Sequence, residues 1–84
     1  MNNKILIQLI VPEIEEQYDL YIPVNRRIGS IIILLKKSLN ELSEGLFNLD
    51  KKRNLFNHNT GKMYNINDII RETDIRNGTI LVFI

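Results

Sequence analysis

One long helical stripe set between runs of strand-forming residues constrains this chain more than any other feature. Ile28, Ile31, Ile32, Leu35, Leu39 and Leu42 recur at the i, i+3, i+4, i+7 spacing that places side chains on one side of a helix. The spacing predicts a helix from about residue 27 to 44, with Asn25 available as its cap and Gly45 just past its end. Gly29 lies in its first turns, where a helical glycine costs roughly 1 kcal/mol. Ile33 falls well off the apolar stripe and Leu34 on its edge, so Ile33, beside Lys37 and Asn40, is a second, weaker contact candidate. An isolated surface aliphatic is the simpler reading of Ile33.

Before the helix, Lys4 to Val11 is aliphatic except at Lys4 and Gln8 and reads as a strand stopped by Pro12. Glu13 to Gln17 form a polar turn, and Tyr18 to Ile22 read as a second strand ending at Pro23. Two strands so close in sequence form an antiparallel hairpin. After the helix, Asn48 to Asn54 is polar and contains the run Lys51-Lys52-Arg53. Leu55-Phe56 then begins a third strand, Asn59-Thr60-Gly61 turns, and Met63-Tyr64 is a short returning strand. Residues 65–70 read as a capped helical turn, Arg76-Asn77-Gly78 as another turn, and Thr79 to Ile84 as a last strand. With 84 residues there is room for one core, so residues 1–84 make one domain.

This order, ββαββ(β) with a short helical turn before the last strand, resembles ubiquitin and the wider β-grasp superfamily. The resemblance covers essentially the whole chain and is carried most by Leu55-Phe56, Gly61-Lys62-Met63, Ile66-Asn67-Asp68 and Ile75 to Leu81. Thr79 stands where an acidic residue is common in that pattern. The implied fold class is α+β, with a mixed sheet of four to five strands packed on one long helix. Within the superfamily, the segment from Ile22 to Asn25 and the Asn77-Gly78 turn are similar to those of the YukD/EsaB group. These are small bacterial ubiquitin-like proteins accessory to type VII secretion. The resemblance implies a non-conjugated adaptor or regulator that binds protein partners, among them secretion-machine components.

Several chemistries are disfavoured by what the chain contains. Without cysteine there are no disulfides, thiolate zinc sites or iron–sulfur clusters. His58, the only histidine, sits in a turn with no second ligand or nucleophile at a useful spacing, so neither catalysis nor metal or cofactor binding is expected. Glu13, Glu15 and Glu16 read as a solvated turn, and Lys51-Lys52-Arg53 as a solubilising run. No glycine follows Gly78, and the last strand runs into Val82-Phe83-Ile84, which argues against a C-terminally activated modifier or carrier. A net charge of +1 gives no electrostatic case for nucleic acid. The opening apolar run is too short to insert in a membrane and carries no cleavage signal, so a cytoplasmic location is the expectation.

Alternation along the strands sharpens the functional expectation. If Ile5, Ile7, Leu9 and Val11 face the helix, then Lys4, Leu6, Gln8 and Ile10 face outward. With Ile80 and Val82 assigned inward in the last strand, Leu81 and Phe83 join Leu6, Gln8 and Ile10 on an apolar outer face. Phe56 extends that face if Leu55 is the inward residue of its strand. Such a patch predicts a protein-binding surface, and the same patch would serve equally for a homodimer whose sheet faces meet. A register shift by one residue exchanges inside and outside, which leaves a patch in either phase because both strands carry apolar residues on both faces.

Overall fold

In the computed structural model, which describes residues 3–84, a four-stranded mixed sheet packs one face against a single α-helix. Met1 and Asn2, the start of the expected domain, lie outside the described residues. Strands β1 (Lys4–Val11) and β2 (Glu16–Pro23) pair antiparallel along their whole length, from Lys4 opposite Pro23 to Val11 opposite Glu16. Pro12, which cannot donate to the ladder, opens a 3-10 turn, Pro12–Ile14, that closes the hairpin. The last strand, β4 (Ile80–Phe83), lies parallel beside β1, and β3 (Leu55–Asn57) pairs antiparallel with β4. The order β2-β1-β4-β3 puts the two most apolar strands at the centre.

Helix α1 (Ile28–Leu42) buries Ile28, Ile31, Ile32, Leu35 and Leu39 against the sheet, as the spacing predicts. Leu42, expected on the same stripe, is exposed in the last turn, beyond the reach of the sheet. Asn25 does not cap this helix. Arg27 occupies the capping position without a side-chain bond, and the first free amides are taken by the backbone of a distant loop. Ile28 N–H donates to the Asp68 carbonyl at 2.8 Å and Gly29 N–H to the Ile66 carbonyl at 2.9 Å. That loop lies so close that a Cβ at position 29 would stand 3.2 Å from the Ile66 oxygen, which gives Gly29 a packing reason. At the other end Gly45, at φ +88°, donates its N–H to the Asn40 carbonyl at 2.8 Å and ends the helix as expected.

The chain after the helix re-enters the core at once. Ser43 Oγ accepts from Phe47 N–H and Asn40 Nδ2 donates to the Phe47 carbonyl, both at 2.9 Å, so that the Phe47 ring seats in the core. It stacks on Phe83, with ring centroids 5.7 Å apart. Arg53 lies over the other aromatic partner of this pair, Phe47, at 4.1 Å, and donates to Glu13 Oε1 at 2.8 Å and the Asn48 carbonyl at 2.9 Å. Its side chain is only 3% exposed. Arg53 therefore departs from the solubilising role expected of its run, while Glu13 stays exposed in its turn, and the pair ties the first hairpin to the 48–53 loop. The bond from Asn48 N–H, followed by the Arg53 guanidinium, holds the Glu13 carboxyl below the usual glutamate range.

The expected strand at Met63-Tyr64 is reduced to a single bridge between Met63 and Phe56, because the chain turns away after Tyr64. The helical turn expected over 65–70 is displaced to Ile70–Glu72, where Ile70 and Arg71 N–H groups bond the Arg26 and Val24 carbonyls. Tyr64, 4% exposed, donates its hydroxyl to Asp74 at 2.6 Å and accepts from Asn57 Nδ2 at 3.0 Å. Burial, reinforced by the Asp74 carboxylate, pushes the Tyr64 phenol up to about 12. A folded-state pKa above the ordinary 10.0 means that the neutral phenol contributes stability in full below pH 10 and loses it as pH rises toward 12. Urea midpoints measured from pH 8 to 12 are expected to fall through that window in the wild type, and less steeply in Tyr64→Phe. Equal slopes for the two proteins would refute this reading.

Candidate protein-binding face

The site is built by the register of the two central strands. The Asn77-Gly78 turn docks on β1: Gly78 N–H donates to the Leu6 carbonyl, and Leu6 N–H donates to Asn77 Oδ1, each at 2.8 Å. Thr79 Oγ1 accepts from Arg76 N–H at 2.8 Å and so closes the turn without an acidic residue. From this anchor Gln8 lies beside Ile80, Leu9 beside Leu81 and Ile10 beside Val82. Paired residues share a face of the sheet, so Leu81 points inward with Leu9, and Phe83 inward two residues later.

Leu81 and Phe83 are both 0% exposed, and this corrects their assignment to the outer face. All four residues of β4 are apolar, so composition carries no phase for this strand. The phase comes from the turn that docks it on β1. The one sequence signal that favours the observed phase is size, since Leu81 and Phe83 together are bulkier than Ile80 and Val82 and fill more of a core.

Leu6, Gln8 and Ile10 do share the outer face, where the alternation of β1 puts them, and Leu55 is fully buried, so Phe56 turns outward as well. Ile80 and Val82, assigned inward from the sequence, take the places foreseen for Leu81 and Phe83. Phe56 pairs with Val82 on one side and bridges Met63 on the other. An apolar strip thus crosses the sheet from Leu6 through Ile80, Ile10 and Val82 to Phe56 and Met63. Sequence reasoning missed Met63 because the strand that would have given its direction is a single bridge. Ile10, Phe56, Ile80 and Val82 are half-buried by their neighbours in the sheet yet do not pack on the core. Midway along the β2 margin the face becomes polar, where Gln8 Nε2 donates to Gln17 Oε1 at 2.8 Å and Asp19 lies opposite Gln8, while the exposed Tyr21 lies opposite Leu6.

No nucleophile, base or ligand set interrupts this strip. His58 is exposed at the turn, and among the described residues no group of three or more acidic, histidine or cysteine side chains could hold a metal ion. No described helix is long and apolar enough to cross a membrane. The face offers apolar contact area with a polar margin, which suits protein association.

Solved structures reproduce this architecture from end to end. The ubiquitin-like domain of the Mycobacterium tuberculosis type VII secretion protein EccD1 superposes with a TM-score of 0.75 at 11% identity, over 100% of this chain and 99% of that one. The fold is ubiquitin-like. A structure described as molecular mimicry of SUMO that promotes DNA repair gives a TM-score of 0.72 at 18% identity, covering 100% of this chain and 94% of the other. A chain of the MycP5-free ESX-5 inner membrane complex gives 0.71 at 15% identity, and there the match spans 98% of this chain but 21% of its partner. Ubiquitin-like domains similar in fold to this one therefore occur in type VII secretion proteins. No protein-family model and no curated protein matches the sequence.

Proposed function

We propose that this ubiquitin-like chain is a non-conjugated protein-interaction module, an adaptor or regulator accessory to bacterial type VII secretion, that catalyses no reaction itself. The observation that carries the reading is the strip of Leu6, Ile10, Phe56, Ile80 and Val82, apolar side chains on the sheet face turned away from the helix. Apolar area of this kind, rimmed by polar residues, contributes to association when a partner covers it. The secretion context is supported by the likeness in fold to the EccD1 domain and the ESX-5 chain.

The test uses the chain as bait for the type VII membrane complex of its source organism, with wild type, Leu6→Glu and Val82→Glu side by side. Wild type is expected to retain the complex and both variants to lose it by at least roughly tenfold, since each places a charge within the apolar contact. Retention by none of the three would remove the secretion role. Equal retention by all three would remove the face. Sedimentation across a concentration series is expected to show a monomer. A dimer that Val82→Glu converts to a monomer would instead make the face a self-interface.

A further inference from the structure

The helix carries a second surface, chemically unlike the sheet face. Ile33 is 61% exposed and stands as a ridge between two grooves, one on either side of α1. Of the 11 Lys and Arg residues in the chain, seven line these grooves, and no Asp or Glu lines either of them. A chain of net charge +1 has thus gathered most of its cations around one helix. One of the grooves, of about 420 Å³, lies between α1 and the loops at 52–53 and 66–67. Arg27, Lys36, Lys52 and Arg53 line it together with Ile33 and Ile66.

Its walls are held in place. Gly29 N–H bonds the Ile66 carbonyl, Arg27 donates to the Asn67 carbonyl, and Arg53 is fixed by Glu13 and the Asn48 carbonyl. Lys36 and Lys52 have no ion-pair partner among the described residues. Arg53 Nε is buried and has no hydrogen-bond acceptor there either.

We propose that this groove binds an acidic segment of a protein partner, with carboxylates among Lys36, Lys52 and Arg27 and an aliphatic side chain against Ile33 and Ile66. Charge complementarity selects the occupant: Arg53 is already paired with Glu13, but Arg27, Lys36 and Lys52, with no acid lining the groove, favour an anionic segment and repel a basic one. The exposed aliphatics select a peptide over nucleic acid, since no aromatic side chain lines the groove to stack on a base and the low net charge gives little long-range pull. The proposal concerns a different surface from the sheet face and stands or falls independently of it.

The probe is a labelled peptide with two adjacent aliphatic residues flanked on each side by glutamates, titrated into the isotope-labelled chain and followed by amide shifts. A second peptide replaces each glutamate with glutamine. Saturable shifts are expected at Gly29, Ile33, Lys36, Lys52 and Ile66 with the first peptide, weakened by added salt. The double variant Lys36→Glu, Lys52→Glu is expected to lose binding by at least roughly tenfold with its dispersed spectrum intact. Val82→Glu is expected to bind as wild type does. Absence of binding at millimolar peptide, equal binding of the glutamine peptide, or shifts confined to the sheet face would each overturn the proposal. So would binding to phosphatidylserine vesicles in place of the peptide.

Discussion

Phe83→Glu is expected to leave the chain largely unfolded at room temperature, whereas Val82→Glu, one residue earlier, is expected to leave it folded. Phe83 is fully buried and stacks on Phe47, so truncating it to alanine alone would cost about 3–5 kcal/mol. A carboxylate in the same place adds the cost of burying an unpaired charge. A domain of this size has about 5–10 kcal/mol of stability in total, which those two costs consume. Val82 lies on the opposite face beside Ile10 and Phe56, where a glutamate can reach water. Circular dichroism melts of the two variants measure the difference directly. A Phe83→Glu melt within a few degrees of wild type would mean that β4 presents the other phase to the core.

Arg53→Ala is expected to destabilise the fold by about 2–3 kcal/mol, far more than Lys51→Ala or Lys52→Ala. Arg53 makes two short bonds from a buried guanidinium and covers the Phe47 ring, so its removal opens a cavity and leaves the Asn48 carbonyl short of a donor. Rupture of a buried pair typically costs about 3–5 kcal/mol, and the estimate lies below that range because Glu13 keeps some contact with solvent. Lys51 reaches the same carboxylate at 3.4 Å from an exposed position, an arrangement worth less than about 1 kcal/mol. Arg53→Lys is not expected to restore the loss in full: both bonds come from the single nitrogen Nη2, which an ammonium could imitate, but an ammonium lacks the flat guanidinium face that lies on the Phe47 ring. Urea unfolding of the four variants provides the measurement, and a cost for Arg53→Ala no greater than for Lys51→Ala would contradict this account.

The face called for by the pattern of β1 was legible because that strand contains a polar marker. Gln8 in an aliphatic run sets which side meets water, and Leu6 and Ile10 follow from it. Phe56 was legible only conditionally, on Leu55 being inward, and the burial of Leu55 meets that condition. β4 has no such marker, and its two phases differ only in bulk. Arg53 was unreadable for a related reason: it stands in a run of three cations, and only contact with Phe47 and Glu13, 6 and 40 residues away, separates it from its neighbours.

By itself the sequence determined whatever depends on local periodicity and turn chemistry. The helix and the residues it buries from Ile28 to Leu39, the first strand ended by Pro12, the glycine stop at Gly45 and the ubiquitin-like order of elements all follow from neighbours within a few positions. Tertiary structure decided what depends on residues distant in the chain. The Asn77-Gly78 turn bonded to Leu6 sets the register that buries Leu81 and Phe83, the carbonyls of Ile66 and Asp68 cap the helix in place of Asn25, and the 48–53 loop closes over Arg53. The physical reason is the same in each case. A uniformly apolar strand, an open helix end and one cation in a basic run each admit two local arrangements of nearly equal energy, and the choice falls to hydrogen bonds and contacts that exist only once the chain has folded.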